Sequence, residues 1–293
     1  MILMKQKLIM VLVVPLLVLG GCTSPTTAPD KVSVHVGIYP FAYLTQAIGQ
    51  NNVEVTNLTT PGAEPHDLEL TAQQIAAMAK SDLVIYEAGL QPAVDAAIAQ
   101  AKPSRTLETT TVVPLEVRDG TADPHIWLDP TKMLTLASTI ATQLSAIDPA
   151  NQASYSANLA ALSGLLGDLD RRYQTGLANC ARQEFITTHA AFGYLASRYG
   201  LVQIPIAGMS PDAEPGPDDI ARIETAARDK GLTTVFFETL VSPELAQSIA
   251  ADVGLTTDVL DPIEGITAES RGSDYGEVMA SNLEALRLAN GCQ

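Results

Sequence analysis

Three of the four histidines in this chain stand where Pro, Gly, Asp or Thr interrupt apolar segments. His66 lies in Gly62-Ala63-Glu64-Pro65-His66-Asp67, and His125 in Asp123-Pro124-His125-Ile126-Trp127-Leu128-Asp129-Pro130. His189 lies in Thr187-Thr188-His189-Ala190-Ala191-Phe192-Gly193. Imidazole is the commonest side-chain metal ligand and suits zinc and its neighbours. A chain poor in histidine that spends three of them at strand ends reads as one metal site divided among distant loops. His35, the fourth, falls inside an apolar strand pattern and reads as a core histidine.

Such loops meet only if strands bring their ends to a common edge. Residues 32–38 put Val32, Val34, Val36 and Ile38 on one face and Ser33, His35 and Gly37 on the other, the period of a strand. Helices are expected over 41–48, 71–80 and 131–147, and strands over 53–58 and 82–86, the last dense enough for a buried parallel strand. From 149 to 177 the pattern is helical, with Pro149 in the first turn and Tyr155, Leu159, Leu162, Leu165, Leu166, Leu169 and Tyr173 at helical spacing. A helix of about 29 residues would reach roughly 43 Å and act as a strut. Strands then alternate with helices again: strands at 184–188, 202–206, 234–237 and 257–260, helices at 190–199, 217–230, 243–253 and 274–288. The expected fold is α/β, two lobes of parallel-type sheet flanked by helices and joined by one long rigid linker helix. The lobes are placed at 32–148 and 179–293, with the linker at 149–178.

Open α/β sheets bind ligands beyond the carboxyl ends of their strands. His66 and His125 occupy first-lobe loops, His189 follows strand 184–188, and Asp261 follows strand 257–260 in Leu260-Asp261-Pro262-Ile263-Glu264-Gly265. Three imidazoles and one carboxylate fill a tetrahedral zinc shell. Asp261, the expected fourth ligand, also reads as a plain turn residue before proline. Glu238, ending strand 234–237, is a candidate partner for a ligand imidazole, or simply a loop residue. Asp129 reads as the cap of helix 131–147 and Trp127 as a packing residue.

These segments, in this order, resemble the solute-binding lipoproteins of bacterial ABC importers for zinc or manganese, the metal-binding family with a rigid linker helix. The resemblance spans essentially the whole chain after its leader. It implies metal capture between the lobes by His66, His125, His189 and Asp261, and delivery by a monomer to a permease and its ATPase. Manganese-type members tend to carry Glu where this chain has His189. Nitrogen ligands favour zinc, so Zn2+ is the expected ion and Mn2+, or iron, the runner-up. Zinc-type members often carry a His-rich acidic loop between the first two ligands; residues 109–122 contain no histidine.

The N-terminus places the work outside the cytoplasm. Lys5 and Lys7 precede a run of roughly twelve apolar residues, too short to span a bilayer but the right length for a secretory signal. Leu19-Gly20-Gly21-Cys22 resembles a lipobox, which makes 1–21 a signal peptide, Cys22 the lipidated residue and 22–31 a flexible tether to the cell membrane. The two remaining cysteines, Cys180 and Cys292, are then expected to form a disulfide. Without Lys5 and Lys7 the chain keeps 15 basic against 33 acidic residues, a net charge of −18 that argues against nucleic-acid partners. A three-histidine zinc site also suits a hydrolase, but the chain lacks His-Glu-x-x-His and any evident base paired with a nucleophile. The expectation is therefore a binding protein rather than an enzyme, with an added adhesin role left open.

Overall fold

The alternating strand and helix patterns fold into two separate four-stranded sheets, both wholly parallel. The computed structural model describes residues 31–118, 120–211 and 215–293; the signal segment, Cys22 and the tether up to residue 30 lie outside the described residues. The first sheet contains β1 (Val32–Val36), β2 (Val53–Asn57), β3 (Leu83–Tyr86) and β4 (Thr106–Glu108), in the order β2-β1-β3-β4. A two-stranded antiparallel hairpin of β5 (Glu116–Arg118) and β6 (Thr121–Asp123) follows. The second sheet contains β7 (Glu184–Thr187), β8 (Val202–Pro205), β9 (Thr234–Phe237) and β10 (Thr256–Val259), in the order β10-β9-β7-β8. Both sheets thus share one arrangement, with the second strand beside the first on one side and the third and fourth on the other. Strand order reverses between β1 and β3 and between β7 and β9, and crevices at strand ends form at such switch points.

In the first lobe α1 (Tyr39–Gly49), α2 (Ala72–Met78), α3 (Pro92–Ala101) and α4 (Pro130–Ile147) connect and cover the strands. After the linker α5 (Gln152–Gly176), the second lobe uses α6 (Gly193–Tyr199), α7 (Pro217–Lys230), α8 (Glu244–Val253) and α9 (Tyr275–Asn290). The sequence reading did not foresee α3, β4 or the hairpin. Each of these strands is three residues long, and half of α3 is alanine, so neither carries a strong periodic signal. Asp129 caps α4 as expected, its carboxylate accepting from the Thr131 N–H.

The linker begins later than expected. Residues Pro149–Asn151 form a 3-10 turn, tied by Asp148 accepting from the Asn151 amide and the Tyr155 hydroxyl. The α-helix proper has 25 residues, about 37 Å at 1.5 Å per residue. Its buried stripe is Tyr155, Leu162, Leu166, Leu169 and Tyr173, whereas Leu165 is 63% exposed. Asn158 Nδ2 donates to the Ile48 carbonyl at the end of α1 (2.8 Å), and the Tyr173 hydroxyl donates to the Met279 carbonyl in α9 (2.7 Å). Asp170 accepts from Arg198 Nε (2.7 Å) and the Tyr199 hydroxyl (3.0 Å) in α6. The helix is therefore fastened to both lobes. Its stripe also joins their interiors: one apolar cluster runs from Val34, Phe41 and Trp127 through Tyr155 and Tyr173 to Phe185 and Leu286. Each sheet keeps a smaller cluster on its other face, around Met78 and Val84 in the first and Ile186 and Val235 in the second. The lobes share their main core instead of owning one each.

Cys180 and Cys292 form the expected disulfide, 112 residues apart. The same end is also held by Asn290, whose amide donates to the Arg182 (3.0 Å) and Glu184 (3.3 Å) carbonyls. Closing a loop of this length removes about 4–5 kcal/mol of unfolded-state entropy in the chain-entropy model. Replacing both cysteines by serine should lower the melting temperature by about 8–20 °C in calorimetry, since about 2–4 °C accompanies each kcal/mol at this size. Zinc affinity should not change, because neither cysteine approaches the histidine loops. An unchanged melting temperature would show that Asn290 holds the C-terminus without the bond.

Candidate metal centre

The first-lobe histidines come from loops fixed by side chains behind them. His66 lies after β2, where Gln91 Nε2 donates to the Pro65 carbonyl (3.2 Å) and the Thr59 hydroxyl (2.8 Å). The His66 N–H donates to Glu64 Oε1 (3.1 Å). His125 follows β6 directly and enters a 3-10 turn over Ile126–Leu128. Asp123 Oδ1 accepts the His125 backbone N–H (3.0 Å) and pairs with its Nδ1 (2.9 Å), which leaves Nε2 free to point the other way. His189 follows β7. Its carbonyl accepts from Thr187 Oγ1 (2.7 Å) and Gln203 Nε2 (2.8 Å), and its Nδ1 lies 2.7 Å from Glu238 Oε1. Glu238 follows β9, and this contact fixes the orientation of the His189 ring.

Asp261 does not join the histidines, and this corrects the sequence reading. Its carboxylate is consumed by its own corner: Oδ1 accepts the Ile263 N–H (2.8 Å), and Oδ2 accepts from Thr239 (3.0 Å) and Ser270 (3.0 Å). Its backbone is clamped by Asn282 of α9, whose Oδ1 accepts the Asp261 N–H (2.9 Å) and whose Nδ2 donates to the Asp261 carbonyl (2.7 Å). Burial raises its pKa, with those donors opposing, so it is also a poorer anion than an ordinary aspartate. The corner it builds turns sharply. Ile263 adopts φ 60°, a left-handed conformation costly for a β-branched residue, while fully buried. Trp127 Nε1 donates to the Pro262 carbonyl across the lobes (2.7 Å). This turn aims Glu264, three residues later, at the histidines.

Glu264 Oε1 lies 3.2 Å from His125 Nε2, 3.6 Å from His66 Nε2 and 3.8 Å from His189 Nε2. A tetrahedron with zinc–ligand bonds of about 2.0–2.1 Å has edges of about 3.3 Å, close to this spacing. Among the described residues, His66, His125 and Glu264 present ligand atoms all within 4.8 Å of one another, and His189 lies somewhat further from at least one of them. Among the described residues, the three Nε2 atoms and both Glu264 oxygens are buried without a hydrogen-bond partner. Buried polar atoms are rarely left so, and these four groups are the donor types zinc takes. His35 stays apart in β1 with its Nδ1 unpartnered, and its pKa is lowered by burial.

His66 and His125 thus reach this point from loops of the first sheet, and His189 and Glu264 from loops of the second. Glu264 was missed because its signal is shared with Asp261: both are acidic and occupy one six-residue corner, and only the turn decides which one faces inward. Burial opposes charge on His125, but the Asp123 and Glu264 carboxylates on its two nitrogens override it and carry its pKa to about 9. Burial likewise opposes charge on Glu264, and the His125 and His66 imidazoles hold it well below the usual carboxylate range.

Comparison with known proteins shows the family to which the chain belongs. Residues 34–289 match the family described as zinc-uptake complex component A, periplasmic. The chain belongs to that family. Its members are zinc-uptake binding components rather than enzymes, and Zn2+ is the ion bound. The high-affinity zinc uptake system protein ZnuA of Bacillus subtilis is 32% identical over 278 residues, which cover 88% of this chain and 87% of that one. The zinc-binding lipoprotein AdcA of Streptococcus pneumoniae strain R6 is 32% identical over 291 residues, 92% of this chain. The match takes in 58% of AdcA, so this chain spans little over half of that longer relative. The Zn(II)-bound ZnuA-like domain of Streptococcus pneumoniae AdcA superposes with a TM-score of 0.78 at 33% identity, covering 89% of this chain and 99% of that one.

Two outcomes follow for the family member at hand. Glu264→Ala should weaken zinc binding, measured by chelator competition, by more than the roughly 10–100-fold typical of outer-shell changes, whereas Asp261→Ala should stay within that range. Asp261→Ala should instead lower the melting temperature by stripping its turn of ties; an equal loss of affinity in both variants would return Asp261 to the ligand set. The second outcome concerns protons. With its pKa at about 9, His125 must surrender a proton to zinc below that pH. Apparent affinity should therefore rise about tenfold per pH unit between about pH 7 and 8. Calorimetry in two buffers of different ionisation enthalpy should count about one proton released per ion. By linkage, a raised histidine pKa stabilises the ion-free protein fully below about pH 6.5 and ceases to do so as pH rises through about 9. An affinity flat in pH would mean that His125 carries no proton.

Proposed function

We propose that the chain captures Zn2+ between its two lobes with His66 Nε2, His125 Nε2, His189 Nε2 and the Glu264 carboxylate. The observation that carries this reading is the group of buried donors without partners, three nitrogens from both lobes gathered within 3.8 Å of Glu264 Oε1. Four protein donors complete a tetrahedral shell and leave no position for an activated water, which suits carriage rather than hydrolysis. One formal carboxylate in the shell leaves zinc with a net positive charge. Asp123 and Glu238 behind the imidazoles compensate it.

The reading extends to the cell. A lipid on Cys22 holds the monomer at the outer face of the membrane, residues 32–148 and 179–293 act as the lobes, and the permease of an ATP-driven importer receives the ion. Because each lobe supplies half the shell, any step that separates the lobes also halves the coordination number. Release therefore needs no competing ligand of comparable strength.

Selectivity rests on His189. A three-nitrogen shell favours zinc over manganese both in ligand type and in the general affinity order. Metal content after purification without chelator, followed by direct competition between the two ions, tests the assignment: zinc should win by orders of magnitude. His189→Glu should erode zinc affinity and narrow the gap, because a hard oxygen replaces an imidazole. Tighter manganese than zinc binding in the unaltered protein would overturn the zinc reading.

A further inference from the structure

The β5–β6 hairpin belongs to the first lobe by sequence, yet it is seated on α6 of the second, and its last residue is the partner of His125. The Tyr194 hydroxyl, on α6, accepts the Glu116 N–H (2.7 Å) and donates to the Asp123 carbonyl (3.0 Å), so one phenol grips both strands. Arg118 Nε donates to Asp123 Oδ2 (3.0 Å) and its Nη2 to Ser197 Oγ (3.0 Å), also on α6. Arg118 and Lys132 stand over the Tyr194 ring at 5.5 and 5.0 Å from its centroid, a cation–π arrangement from two directions. The first residue of α6 has to be small here. A Cβ on Gly193 would lie 2.5 Å from Asp123 Oδ2 and nearer still to Arg118 Nε.

Asp123 thus has two faces. Oδ2 looks to Arg118 and α6, while Oδ1 holds His125 by its backbone N–H and its Nδ1. Resting on the ligand assignment above, we propose that Tyr194 and Arg118 are positioning residues that couple the seating of α6 to the setting of His125. A slight withdrawal of the second lobe loosens a ligand held by the first. The hairpin occupies the stretch between the first two histidine loops, residues 109–122, where no histidine occurs. In this chain that stretch acts as a latch.

Tyr194→Phe tests the latch, because it removes both hairpin hydrogen bonds and keeps the ring under Arg118 and Lys132. Zinc dissociation into excess chelator should accelerate about tenfold, the lower end of outer-shell effects on metal sites. Arg118→Met provides a second variant and should act in the same direction. The deciding measurement is the same substitution in a His125→Ala background. A residue acting through His125 has nothing left to position there, so Tyr194→Phe should no longer change the dissociation rate. A residue serving only the fold would accelerate it equally in both backgrounds, and that result overturns the proposal, as does an unchanged rate in the otherwise native protein. If His125→Ala itself leaves zinc affinity intact, the ligand set fails; if it weakens binding while Tyr194→Phe and Arg118→Met are silent, only the latch fails.

Discussion

The structure depends on a carboxylate that has been taken out of water without a hydrogen-bond donor. Glu264 is 1% exposed, and neither oxygen finds a conventional partner among the described residues. An ionised carboxylate in such a place is costly unless positive charge meets it. His125, whose pKa is raised, supplies that charge as a proton, and a divalent ion supplies it better. Much of the surrounding architecture keeps Glu264 from escaping to a cheaper conformation. The Asp261 turn, the left-handed Ile263 and the Trp127–Pro262 hydrogen bond together fix its backbone.

Charge around the centre is arranged in layers. Outside the three imidazoles and Glu264 stand Asp123 and Glu238, each on an Nδ1, and outside Asp123 stands Arg118. The buried formal charges near the histidines are therefore mostly carboxylates, Asp123, Glu238 and Glu264, an excess of negative charge that suits a cation at their centre. Arg118 and its neighbours on the hairpin reach the surface, and so does His66, whose side chain is 13% exposed. The second lobe meets His125 through the hairpin edge, whereas solvent also reaches the cluster at His66.

Much of this was legible in the sequence, for identifiable reasons. The dense apolar run at β3 and the alternating valines of β1 announce strands, and Tyr155 to Tyr173 announce the linker by spacing alone. His66, His125 and His189 were legible because histidine is rare here and each sits among residues that end strands. Glu238 was legible from its place after β9. The fourth donor was not. Asp261 and Glu264 differ by one turn of backbone, and what selects between them is the φ of Ile263 and the amide of Asn282, twenty-one residues away in sequence. The hairpin was equally hidden, since strands of three residues carry too few alternations to read. Nor did the pattern of α5 reveal that its stripe would fuse two interiors into one.

That fused interior has a mechanical meaning. Val34, Phe41, Tyr155, Tyr173 and Leu286 belong to one apolar body, so swinging the sheets apart would wet it. Exposing about 400 Å2 of it would cost about 10 kcal/mol at 25 cal/mol per Å2, as much as a structural zinc ion typically contributes on binding, about 10–16 kcal/mol. The molecule is thus a stiff spring rather than a jaw. A loading step that leaves this interior dry would act through a few loops at the rim of the cleft.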